Sequence, residues 1–249
     1  MEAFLSLLNS DVVLKFSLLF ARVASFVAFM PVFGHTGISP TIRVAFAFYL
    51  VIFLFPFVGD IKYVSDVHFL KSILAEISLG LVAAMLFNVI LSSVRVIGEL
   101  IEYSTALSMA MMFDPATGSQ QGLISKLLYW IALVLFFQSG LYETTLVMLA
   151  KSFSMVHLGA FDLFSFDGIT MAIGEVNRMF AFAFTFALPL FFIGFIMDVY
   201  YGYGTKSMPA FSPFIITFQL KIILIFSFLI FGLEVLNESL VNYFINSFE

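Results

Sequence analysis

Residues Phe69–Ile97 read FLKSILAEISLGLVAAMLFNVILSSVRVI, a long apolar stretch with only three charged side chains. At 1.5 Å per residue, a helix of these 29 residues would be about 43 Å long. A bilayer core of about 30 Å needs only about 20 helical residues. The stretch therefore predicts a helix that tilts, kinks or extends beyond a membrane.

Five more apolar stretches lie on either side of this one, separated by glycines, prolines and short polar runs. They are Val12–Phe33, Val44–Val58, Leu123–Leu149, Met171–Met197 and Phe214–Phe244. All except Val44–Val58 are long enough to span a bilayer as a helix. No Ser/Gly-rich or Pro-rich linker separates them, so we expect one all-α membrane domain over residues 1–249.

Composition excludes most other classes of protein. Hydrophobic residues make up 62% and charged residues 11% of the chain, whereas soluble domains carry about 25% charged residues. The chain has no cysteine, which excludes disulfide scaffolds and thiol catalysis. Its basic residues are scattered singly and its net charge is -5, so we expect no nucleic-acid binding. The 35 phenylalanines indicate more packing than lipid contact alone requires.

Charged side chains inside the apolar stretches need a polar environment. A charge in hydrocarbon costs at least about 2.5–3.5 kcal/mol, so such a group should face protein, water or lipid headgroups. Arg22 and Glu76 lie deep in their stretches and are predicted to be buried charges between subunits; a local ion pair is the alternative. Arg95, Glu234 and Glu238 lie near the ends of stretches, where snorkelling to the interface is favoured.

The sequence shows no arrangement typical of an enzyme. His35, His68 and His157 lack metal-ligand spacing, and no nucleotide-binding or nucleophile motif is present. Glu99 and Glu102 could share a helix face and act as an acid–base pair, but a solvated helix face is the favoured interpretation. We therefore expect no catalytic residues, no metal and no cofactor.

The central residues Gly98–Gln121 interrupt the apolar pattern. An apolar cluster of Met109, Met111, Met112 and Phe113 is bounded there by serine, threonine and glutamine side chains. Such a cluster suits a water-lined cavity with a dry constriction, and methionine can repack around unlike surfaces. Asp114-Pro115 is typical of a helix start. A simple turn whose methionines pack in a core remains the alternative.

Features spread over nearly the whole chain resemble the FliR family of flagellar export-gate proteins, which is similar to the T component of virulence type III secretion. The ordered combination carries the resemblance, because no single short motif is specific. It comprises Arg22, Pro31, Pro40, Arg43, Glu76–Gly80, Gly98, Asp114-Pro115, Leu188-Pro189, Gly202–Pro209, Phe214 and Leu220-Lys221. Thr217 and Gln219 depart from the family's Gly and Pro, which predicts a locally straighter last helix.

The resemblance implies a subunit with long, kinked apolar helices packed as hairpins in a helical hetero-oligomeric export gate. A FliP-like part would cover about residues 1–170 and a FliQ-like helical hairpin about residues 171–249. Several copies each of FliP and FliQ, together with FlhB, would be its partners in the flagellar basal body at the inner membrane. Residues 104–121 would form a plug in a pore for unfolded export substrates, with its seal at Met109, Met111, Met112, Phe113, Asp114 and Pro115.

Two other functions stay open from the sequence. A multi-helix secondary transporter could place Arg22 and Glu76 in a substrate site, although we find no internal repeat. The virulence counterpart of the flagellar protein would share the same pattern. An intramembrane enzyme is disfavoured because no nucleophile is paired with a base.

Overall fold

The computed structural model describes residues 10–33, 37–59, 66–105, 122–162, 165–207 and 214–248, and these ranges contain helices and loops without strands. Within them the helices are α1 (Ser10–Phe29), α2 (Pro40–Leu54), α3 (Asp66–Thr105), α4 (Leu123–Gln138), α5 (Leu141–Met155), α6 (Gly168–Ser207) and α7 (Phe214–Phe248). The all-α prediction is confirmed.

Four helical segments are long and apolar enough to cross a membrane. They are Asp11–Phe29, Phe69–Thr105, Gly168–Ser207 and Phe218–Ser247, and α4 with α5 adds a fifth if the two count as one span. Helices α3 and α6 have 40 residues each, or about 60 Å at 1.5 Å per residue. That length is about twice a bilayer core, and α3 confirms the prediction that the stretch Phe69–Ile97 is longer than a bilayer requires.

Two element boundaries differ from the sequence pattern. The stretch Leu123–Leu149 is two helices, because Gly140 adopts φ 70° and ends the first of them. Left-handed backbone of this kind is easily adopted only by glycine. Helix α3 also continues through Thr105 instead of ending near Gly98. The Thr105 hydroxyl donates to the Ile101 carbonyl at 3.1 Å, so it is satisfied within the helix.

Helix starts follow ordinary capping chemistry. Ser39 accepts a 3.5 Å hydrogen bond from the Ile42 N–H, and Pro40 occupies the first turn of α2. Asp167 accepts a 3.1 Å hydrogen bond from the Thr170 N–H at the start of α6. Hydrogen bonding from Thr170 to the Asp167 carboxylate holds the pKa of Asp167 below its usual value.

The chain divides into two compact units, each built from two separate segments. The first unit is Met1–Asn88 with Gly140–Ala172, and the second is Val89–Ser139 with Ile173–Glu249. In the first, Phe26 and Phe87 pack edge to face at 5.6 Å. In the second, Phe136 and Phe244 do so at 6.1 Å. The single-domain description with a FliP-like and a FliQ-like part stays a prediction.

Candidate functional site

Arg22 and Glu76 form a buried ion pair in the first unit. The Arg22 Nε donates to Glu76 Oε2 at 2.5 Å, and both side chains are 0% exposed. Arg22 is in the middle of α1 and Glu76 is in the first half of α3. The pair therefore joins two helices at a depth where an isolated charge would be expensive.

The same pair also holds the end of a third helix. Arg22 donates from Nη1 to the Ser152 carbonyl at 3.1 Å and from Nη2 to the Val156 carbonyl at 3.0 Å. The Ser152 carbonyl also accepts the Val156 N–H at 2.9 Å, so Arg22 adds a second donor there and supplies a donor to the Val156 carbonyl just after the helix. Glu76 Oε1 accepts the Gly159 N–H at 2.8 Å. One ion pair thus fixes α1, α3 and the chain leaving α5.

Close approach of α1 and α3 depends on a glycine. A Cβ at Gly80, one turn after Glu76, would overlap the Ser25 hydroxyl and the Arg22 carbonyl. Two turns later, Asn88 Nδ2 donates to the Phe29 carbonyl at 2.7 Å, at the end of α1. The missing side chain at Gly80 lets the backbones of α1 and α3 approach closely. The Asn88 amide supplies a hydrogen bond that the carbonyl at the end of α1 would otherwise receive from water.

The sequence predicted buried charges at positions 22 and 76 and left open which groups would meet them. The structure brings the two together inside one chain, with the Arg22 guanidinium also over the Phe153 ring at 4.4 Å. A role between subunits stays a prediction. A substrate site at this pair is not favoured, since neither side chain is exposed.

In the second unit, the end of α3 runs antiparallel to the start of α4. The Arg95 guanidinium lies 4.0 Å from the centre of the Tyr129 ring, and the Ser125 hydroxyl donates to the Arg95 carbonyl at 3.3 Å. A Cβ at Gly98 would overlap the Ser125 backbone. Residues further along α3 contact residues closer to the start of α4, so the two helices form a helical hairpin.

Glu102 closes this hairpin. It is 3% exposed, and its Oε1 accepts hydrogen bonds from the N–H groups of Ile124 at 2.5 Å and Ser125 at 2.9 Å. These are unpaired donors in the first turn of α4, whose N-cap, Gly122, has no side chain to offer. The carboxylate therefore acts as the cap from a different helix, where it also meets the positive end of the helix dipole.

The solvated-face interpretation of Glu99 and Glu102 is wrong for Glu102. Glu99 is exposed, but Glu102 is buried because it faces α4 rather than solvent. One feature of the sequence could have indicated this. Residue 122 is a glycine in place of the usual Ser, Thr, Asp or Asn cap, so a donor-rich helix start needed an acceptor from elsewhere.

The predicted plug residues Met109, Met111, Met112, Phe113, Asp114 and Pro115 lie outside the described residues. The structure instead shows what holds the positions that flank them. The Ser104 hydroxyl donates to the Ile101 carbonyl at 2.8 Å, so its hydrogen bond is made within α3. A Cβ at Gly194 of α6 would lie 3.1 Å from the Ser104 Cβ, which places the end of α3 against α6.

An ion pair that the sequence analysis missed joins α6 and α7. Lys221 Nζ donates to both Asp198 carboxylate oxygens, at 2.7 and 2.8 Å. The Lys221 side chain is 7% exposed, whereas that of Asp198 is 63% exposed. The two residues are 23 positions apart in a hairpin, so only the packing of the helices shows that they meet.

The unequal burial of this pair predicts unequal effects of substitution. Asp198→Asn removes the charge that balances a buried ammonium, and we expect it to destabilise the chain by roughly 1–3 kcal/mol. Lys221→Met leaves the carboxylate where it can be solvated or reach a headgroup, so we expect a smaller loss. Unfolding of the purified variants in a detergent titration measures both. Equal losses would contradict the assignment of Lys221 as the costly partner.

In the part of the chain that the structure describes, no three His, Cys, Asp or Glu side chains are grouped to hold a metal ion. His157 lies in the loop after α5. His35 and the side chain of His68 lie outside the described residues.

Comparison with known proteins matches almost the full length of the chain. A family model described as "Bacterial export proteins, family 1" matches residues 13–247. The chain is 27% identical to the flagellar biosynthetic protein FliR of Bacillus subtilis (strain 168), covering 91% of this chain and 88% of that protein. It is 26% identical to FliR of Caulobacter vibrioides (88% and 88%) and 24% identical to FliR of Aquifex aeolicus (97% and 93%).

These matches agree with the geometry of the described residues. Membrane-length helices, a buried ion pair between α1 and α3 and a closed hairpin between α3 and α4 all lie within the matched range. A multi-pass membrane subunit of an export apparatus accounts for the composition that excluded a soluble enzyme. The chain belongs to the bacterial export proteins, family 1.

Proposed function

We propose that this chain is the FliR subunit of a flagellar type III export apparatus in the bacterial inner membrane, with a structural and gating role. The observation that carries the proposal is the family match over residues 13–247, together with the FliR relatives that cover most of their own length. The chain catalyses no bond chemistry. It helps to form the closed pore through which unfolded substrates pass.

Its partners in this proposal are several copies each of FliP and FliQ, together with FlhB. The exposed surface of the described residues supports an assembly, because many large apolar side chains are left uncovered. Phe231 is 83% exposed and Phe57 is 75% exposed, among many others. Helices of about 60 Å also extend well beyond what lipid alone can cover. Neighbouring subunits would bury the apolar side chains that lie beyond the lipid.

The central segment is the gate in this proposal. Met109, Met111, Met112 and Phe113 seal the closed pore, and Asp114-Pro115 sets the backbone of the plug. Support comes from the sequence, which concentrates flexible thioether side chains in this segment. A hydrophobic constriction excludes water and ions without needing a charged barrier.

Deleting Leu107–Phe113 tests the gate. We expect cells with this variant to leak ions and small solutes, while FliP and FliQ still co-purify with the tagged chain. Replacing the same residues by an equal number of Gly and Ser residues separates loss of the apolar seal from loss of loop length, and it should leak as well. Tight membranes in cells with a fully assembled deletion variant would overturn the gating role.

A further inference from the structure

Hydrogen bonds join the end of α3 to the start of α4, the two helices on either side of residues 106–121. Glu102, close to the end of α3, accepts hydrogen bonds from the Ile124 and Ser125 N–H groups at the start of α4. We call the group formed by Glu102, Gly122, Ile124 and Ser125 the neck. The neck lies wholly within the second unit and wholly among described residues.

We propose that Glu102 is a clamp that keeps the neck closed, and that the apparatus exports its substrates with the neck closed. The inference rests on the proposed function, since it assigns the part that stays fixed while the gate works. Glu102 is a positioning residue. It touches the backbone of α4 and acts on the central segment only by holding the two ends of that segment together.

The chemistry of the neck favours a permanent closure. A buried carboxylate that accepts two N–H groups at a helix start gains charge-assisted hydrogen bonds and a favourable helix dipole. Breaking these contacts would leave both the carboxylate and the two N–H groups without partners in a buried site. Opening the neck would therefore cost the free energy of all these contacts at once.

Two glycines are required for the close contact between α3 and α4 at the neck. A Cβ at Gly122 would overlap the Glu102 carboxylate, and a Cβ at Gly98 would overlap the Ser125 backbone. The carboxylate thus occupies the space that any other residue at position 122 would fill. The contact between Arg95 and Tyr129 continues the same seam further along both helices.

Amide hydrogen exchange in the purified, assembled complex tests the clamp. Glu102→Ala should raise the exchange rate of the Ile124 and Ser125 amides by about tenfold or more. Glu102→Gln keeps an acceptor oxygen but loses the charge, so its effect should be smaller. The matched control is Glu99→Ala, which removes an exposed carboxylate one turn away and should change neither rate.

A cysteine pair tests whether the neck stays closed during export. The natural chain has no cysteine, so Glu102→Cys with Gly122→Cys introduces the only two thiols of the chain. Glu102 Cδ is two bonds from its Cβ and meets the position of a Gly122 Cβ. The two Cβ atoms are therefore no farther apart than the roughly 3.5–4.5 Å that a disulfide requires. We expect export in the oxidised variant to match export by the natural chain, because the disulfide then holds the neck closed in place of the Glu102 carboxylate.

The proposal requires both results. Unchanged amide exchange in Glu102→Ala would overturn the clamp, and loss of export on oxidation, restored by reduction, would overturn the closed neck. Failure of the proposed function looks different. In that case the deletion of Leu107–Phe113 leaves membranes tight, while the exchange measurement still reports whether Glu102 holds α4.

Discussion

Arg22→Ala is expected to lower the free energy of unfolding by about 3–5 kcal/mol, the usual cost of removing one member of a buried ion pair. The variant leaves the Glu76 carboxylate fully buried beside apolar helices. It also removes the donor to the Val156 carbonyl and the second donor to the Ser152 carbonyl at the end of α5. Three chain segments of the first unit lose a common anchor, so the loss should be cooperative.

Titration of the purified chain from mild detergent into SDS measures this loss, and the amount of protein in membranes reports it in cells. The matched control is Lys71→Ala, because Lys71 forms an exposed pair with Asp162 at 4.0 Å and surface pairs contribute little. The double variant Arg22→Met with Glu76→Leu should recover part of the stability, since it leaves no buried charge at this position between α1 and α3. A single variant as stable as Lys71→Ala would contradict the assigned role of the pair.

Gly80→Ala is expected to be the second most damaging change, despite adding only one methyl group. That methyl would overlap the Arg22 carbonyl, a backbone atom that cannot move without moving α1. Overpacking of a close helix contact costs about 1–3 kcal/mol. The cost adds to any shift of Arg22 away from Glu76, because both contacts depend on the same separation of α1 and α3.

Gly174→Ala is the control for this change. Gly174 also lies in a helix, but a Cβ there would meet nothing within 4 Å. Alanine is the better helix former, so we expect this variant to be neutral or more stable by about 0.4–1 kcal/mol. Opposite signs for the two variants in the same SDS titration support close packing at Gly80. Equal effects of the two substitutions would contradict the close contact assigned to Gly80.

Local pattern was sufficient to predict the class of the fold. Apolar stretches such as Phe69–Ile97 and Phe214–Phe244 indicated membrane-length helices, and α3 and α7 contain them. The break at Gly140 was not predicted, because the polar residues beside it, Gln138, Ser139 and Glu143, were taken to lie within one continuous apolar stretch. A glycine inside such a run is tolerated in many helices, so only the observed φ of 70° distinguishes a break.

The sequence likewise predicted some properties of the candidate site residues and not others. Burial of Arg22 and Glu76 followed from their depth in apolar stretches, since a charge there must have a polar partner. That they satisfy each other did not follow, because the residues are 54 positions apart and either could have met another group. Glu102 was interpreted as part of a solvated face and the partner of Lys221 was not predicted, for the same reason.

The sequence by itself determined that the chain is a membrane protein, that its fold is all-helical and that a few buried charges need partners. These properties depend on composition and on residues near one another in the chain. The tertiary structure alone decided which groups compensate the buried charges and which glycines are needed for close contact. Those outcomes depend on the distances between helices that are far apart in the sequence. The spacing of residues along the chain does not give these distances.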